Sequence, residues 1–234
     1  MNTYRKNAVM AGVLYFLGTV FGVLTVVIGG EVLSSLTVSK PLAGVDMLGL
    51  VAANSSRLTW GAFLTFMMGI SLVAMTVFLY PVIRKASKEL AMGMVLFRGA
   101  LEGTFYFLST LGFLTLVALS NEYIATGADS AALQSMGNVL YQFQDRLAAV
   151  GPIFFLVGTT CLYISFYRTR LIPRWLTAWG FIAVVTSMAA ALLHLFHIDT
   201  GYEFYMEMVL AVLLIVKGFN PSAIASLSPK TETN

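Results

Sequence analysis

Arg98 and Glu102 stand four residues apart in the stretch LFRGALEGTFYF, inside an otherwise apolar run. On a helix that spacing puts both on one face, and Tyr106 and Ser109 continue it. A guanidinium and a carboxylate so placed can neutralise each other, hold a polar ligand or relay a proton. Other apolar runs carry comparable groups. Glu207 has Glu203 one turn before it, Asp145 and Arg146 open a further run, and Ser187 and His194 share a helical face. A buried carboxylate that lacks a cation keeps its proton more tightly, which makes Glu207 a candidate for proton exchange. Arg98, Glu102, Tyr106, Ser109, Asp145, His194 and Glu207 therefore form a candidate ligand-binding set.

Metal chemistry has a narrower basis. His194 and His197 are spaced i,i+3, and Glu207 or Asp145 would complete a site. The outline resembles the intramembrane zinc ceramidase and adiponectin-receptor group, which has seven spans and three histidines where this chain has two. Two histidines on one helix cannot clasp a haem from both sides, and CxxCH is absent. HExxH, a Walker loop, G-x-G-x-x-G and G-x-S-x-G are absent too, so no cofactor is assigned and a non-enzyme is expected. Cys161 is the one cysteine, so no intramolecular disulfide forms.

The elements that carry these groups follow from composition. Of the 234 residues, 58% are hydrophobic and 11% charged. A soluble domain averages about 25% charged residues, and this chain lacks the polar material to wet a surface. The expected partner is the lipid bilayer. The net charge of +3 comes from basic residues scattered at run ends, a pattern of topology rather than nucleic-acid binding.

A span needs roughly 20 apolar residues, and six windows qualify, near 8–30, 58–83, 91–119, 146–167, 175–197 and 203–219. The fold class expected is all-α, a polytopic membrane helix bundle with six transmembrane helices. Arg5, Lys6, Arg84, Lys85, Lys88, Arg168, Arg170, Arg174, Lys217 and Lys230 fall on one side, which by the positive-inside rule makes both termini cytoplasmic. The inner loops are short. The outer loops, about 31–57 and 120–145, are long enough for short helices, one in VDMLGLVAAN and one along Ala132, Met136, Val139 and Phe143. Residues 1–220 are expected to form a single transmembrane domain and 221–234 a disordered tail.

With Ala91 at the inner surface, Arg98 lies about 10 Å in and Glu102 about 16 Å in by helical rise. A charge at such depth costs about 2.5–3.5 kcal/mol on insertion scales and so turns toward protein or water. The reading these residues favour is a cavity that binds or transports a small polar or amphipathic molecule, which includes lipid, with proton coupling. The alternatives are a metal-dependent intramembrane hydrolase and a non-catalytic scaffold or partner protein whose ion pair holds helices together. An oligomer is compatible with each.

LYPVIRK, FRGALEG, RLIPRWLTAWG and EMVLAVLLIVKGFNP, in that order and spacing, resemble the bacterial membrane proteins grouped as the domain-of-unknown-function 4386 family. The resemblance implies a multi-span protein of a bacterial plasma membrane and brings no reaction with it.

Overall fold

The computed structural model describes residues 3–37, 46–196, 198 and 207–227, with the backbone alone for 31–37 and 207. Among them every element is helical: α1 (Thr3–Thr37), α2 (Met47–Ala53), α3 (Ser55–Ile83), α4 (Lys88–Met94), a π-helical stretch (Val95–Leu101), α5 (Glu102–Ala125), α6 (Ala131–Thr169), α7 (Arg174–Leu195), α8 (Glu207–Val216) and α9 (Pro221–Leu227). The protein is an all-α polytopic membrane protein. Five continuous helical segments are long and apolar enough to cross a bilayer, Thr3–Gly30, Ser55–Ile83, Lys88–Ala125, Ala131–Thr169 and Arg174–Leu195. A bent pair at the C-terminal end raises the number to six if it counts as one span.

The helix ends have local causes. Gly30 breaks α1 with φ 64° and ψ −152°, a conformation that only glycine adopts readily. Asp46 caps α2 by accepting from the Gly49 amide at 3.1 Å, so the short helix expected in VDMLGLVAAN forms. Ser87 caps α4, its hydroxyl accepting from the Leu90 amide and donating to Glu89. The outer helix expected near 132–143 is the first part of α6. That helix has 39 residues, about 58 Å at 1.5 Å per residue, and outruns a hydrocarbon layer of about 30 Å.

The last span differs from the single run expected over 203–219, of which 203–206 lie outside the described residues. Helix α8 has ten residues, and the chain bends by 85° before α9. Gly218 takes φ 72°, Pro221 occupies the first position of α9, and Asn220 accepts from the amide and hydroxyl of Ser222. Each of these ends one helix or starts another. Helix α9 thus occupies 221–227, the first half of the segment that composition assigned to a tail, while 228–234 lie outside the described residues.

Large apolar side chains cover the outside: Val27, Val77, Val185 and Val216 are each more than 60% exposed. In water such a surface would associate, whereas lipid tails solvate it. Several hydroxyls inside return to carbonyls four residues back, as Thr65 does to Gly61, Thr160 to Leu156 and Ser165 to Cys161, and these are satisfied without water.

The chain divides into two compact units, residues 1–17, 71–103 and 152–234 forming one and 18–70 and 104–151 the other. All four boundaries fall inside helices α1, α3, α5 and α6. In the first unit α1 packs on α8: a Cβ on Gly12 would lie 2.8 Å from the Ala211 carbonyl oxygen. Arg5 donates to the carbonyls of Leu214, Ile215 and Val216 at the end of α8, and Lys85 donates to the Tyr4 hydroxyl. In the second unit Val51, Leu58, Ala62, Phe113 and Leu116 form the core. Gly137 of α6 lets Leu48 of α2 approach, the distance from an added Cβ being 2.9 Å.

Candidate functional site

The π-helical stretch Val95–Leu101 carries Arg98. The Glu102 amide donates to the carbonyl of Phe97, five residues back, as well as to that of Gly99. Such wide turns are rare, cost helical regularity and recur at functional sites. Two small contacts make room for this one. A Cβ on Gly158 of α6 would lie 2.6 Å from both the backbone nitrogen and the Cβ of Arg98, and a Cβ on Gly99 would lie 2.9 Å from Thr76 Oγ1 of α3. The widened turn is therefore seated between two neighbouring helices, at backbone range on the α6 side and against the Thr76 side chain on the α3 side.

Arg98 is 0% exposed and Glu102 2%. Arg98 Nη1 lies 3.4 Å from Glu102 Oε2 and donates to Thr159 Oγ1 at 3.0 Å. The guanidinium carbon sits 4.3 Å from the ring centroid of Phe155 and 5.0 Å from that of Tyr15. Both rings present their electron-rich faces to the cation, an attraction that strengthens as water is removed. The charge pair, one hydroxyl and two rings thus account for a cation deep in an apolar helix packing. Chemically the cluster can hold charge. Nucleophilic attack would need an activated nucleophile beside a base, and the neighbours here are a threonine hydroxyl, two rings and a carboxylate bound to the cation.

Of the residues singled out in the sequence, the structure joins Arg98 to Glu102 directly. Tyr106 and Ser109 follow on α5, both half-buried and in the second unit. The Tyr106 carbonyl accepts from the Thr110 hydroxyl, and the Ser109 carbonyl accepts from Gln144 Nε2 at 3.0 Å. Asp145, next to Gln144, is half-buried in the same unit. His194 is half-buried in the last turn of α7. His197 lies outside the described residues, as does the side chain of Glu207, whose backbone opens α8. The metal set His194, His197 and Glu207 thus falls largely outside them. Among the described residues no group of three or more His, Cys, Asp or Glu side chains is placed to hold a metal.

Sequence reasoning missed Thr159, Phe155, Tyr15, Gly158 and the π-helical turn. A glycine beside an arginine within a span, RG at 98–99, and the GTT of 158–160 were the signals available. It also missed Gln144, which is 3% exposed and wedged against Gly112, where a Cβ would lie 2.6 Å from its Oε1.

An all-α polytopic membrane protein with a charged pair buried in its third span is a class rather than an identity. Within that class, the family model described as "Domain of unknown function (DUF4386)" matches residues 10–218, and the chain belongs to that family. No curated protein and no solved structure matches it.

Proposed function

We propose that this is a non-enzymatic protein of the bacterial plasma membrane, with both termini cytoplasmic, in which Arg98, neutralised by Glu102 on its own helix, holds α1 and α6 through Tyr15, Phe155 and Thr159 as part of a scaffold or partner protein. The observation that carries the reading is the burial of both groups, 0% and 3% exposed at the side chain, in direct contact with each other. A pair neutralised by itself and flanked by Phe155 and Tyr15 has the environment of a structural clamp.

A second reading is favoured by the π-helical turn. Because such turns recur at functional sites, Arg98 and Glu102 would line a path within the first unit for a small polar or amphipathic molecule, with protonation of Glu102 coupled to occupancy.

Thiol accessibility separates the two. In a Cys161→Ala background, Thr159→Cys and Glu102→Cys are each exposed to a membrane-impermeant thiol reagent in proteoliposomes. A clamp predicts protection at both positions. Reaction within minutes at either would overturn the clamp and favour the ligand path.

A further inference from the structure

The first unit contains a cavity of about 470 Å³ that neither reading uses. It lies where the α6–α7 turn meets the α8–α9 turn, and the Asn220 amide ties the two by donating to the Leu171 carbonyl at 2.9 Å. Arg170, Arg174 and Lys217 line it together with Leu171, Ile172 and Phe219. All three cations are exposed and the three apolar residues are buried, so charged groups stand at the opening above an apolar floor. No carboxylate is among the lining residues.

Three further features keep the cavity positive. Helix α7 begins there, and Pro173 at its cap position offers no side-chain acceptor to the first-turn amides, so the positive end of the helix adds to the field. The negative end of α8 also arrives there, but Arg5 already occupies its last carbonyls. Arg170, moreover, is a non-glycine residue with φ 56°. A left-handed conformation at a helix end is one that glycine takes at lower cost, and an arginine there puts a charge at the mouth of the cavity.

We propose that this cleft binds a phosphate group, with the phosphodiester headgroup of an anionic phospholipid as its source and an acyl segment on the apolar floor. The ends of α6 and α8 and the start of α7, all apolar helices, place the cleft where a span meets the headgroup layer. Basic pockets between spans at that level suit phosphate headgroups. A site differs from the general attraction of basic loops for anionic membranes in being saturable and in depending on these three cations rather than on charge number.

The test uses the full chain in an uncharged detergent, with dioctanoyl phosphatidylglycerol, dioctanoyl phosphatidylcholine and inorganic phosphate as probes in calorimetric titration. Saturable binding of phosphatidylglycerol but not phosphatidylcholine is expected. It should weaken at least about tenfold in R170Q/R174Q/K217Q and stay within about twofold of wild type in K6Q/R84Q/K88Q, which removes the same charge elsewhere. Inorganic phosphate that binds alone and displaces the lipid would assign the site to soluble phosphate esters, and phosphate without effect would assign it to headgroups. R170G should bind more weakly while unfolding at a higher temperature, which separates lost charge from lost fold. Equal weakening in the two triple variants, or no saturable binding of either anion, would overturn the proposal.

Discussion

Arg98 is tolerated in its position because its charge, its Nη1 and its flat faces each meet a suited group. The charge meets Glu102, Nη1 meets the Thr159 hydroxyl, and the flat faces meet Phe155 and Tyr15. Removing one member leaves a buried charge without this opposite charge beside it, whereas removing both leaves no charge to compensate. Glu102→Leu is therefore expected to lower unfolding free energy by about 3–5 kcal/mol, read from denaturant titration in mixed micelles. The double variant Arg98→Met with Glu102→Leu should recover most of that loss. Additive losses would mean that the two groups are not coupled. At this scale the sequence was informative: charges four residues apart in an apolar run must be turned inward and compensated. The partners were not legible. Thr159 is 61 residues away from Arg98, and nothing in an isolated GTT tells which of its hydroxyls faces a cation.

Helix α6 is shaped around the turn that carries this arginine. At Gly158 the neighbouring backbone is so near that a methyl group would fall 2.6 Å from the Arg98 nitrogen. That atom belongs to the main chain and cannot swing aside. Gly158→Ala should cost about 1–3 kcal/mol by overpacking, whereas Gly99→Ala meets only the Thr76 side chain and should cost less. Equal losses in the same titration would show that the π-helical stretch is free to shift. Arg170→Gly acts in the opposite sense. Relief of its left-handed backbone, with no change in core packing, should add up to about 1 kcal/mol, seen as a higher midpoint of thermal unfolding. Helix existence was readable from apolar run length, as was a short helix in VDMLGLVAAN, while its Asp46 cap emerges from the structure. The π-helical turn was not readable, since its seven residues VLFRGAL have the composition of an ordinary span.

Across the whole molecule, the apolar runs correspond to five candidate spans, or six with the bent pair counted as one. Residues 203–219 read as one span because apolarity continues through LAVLLIV, and at the end of that run Gly218 and Pro221 turn the chain by 85° into α9. Reporter fusions test the arrangement. A reporter after Ala86 and one after Arg170 should both report the cytoplasm, and one after Ala128 the opposite side, because α6 is long enough to cross between the last two. The same side for 128 and 170 would mean that α6 lies along the membrane instead.

Arg5 reaches across more than two hundred residues of sequence to hold the carbonyls that end α8. A chain emerging from the ribosome makes its first helix long before those carbonyls exist. The guanidinium cannot hold them until α8 has been made, so the seam between α1 and α8, drawn close at Gly12, is sealed late in biosynthesis.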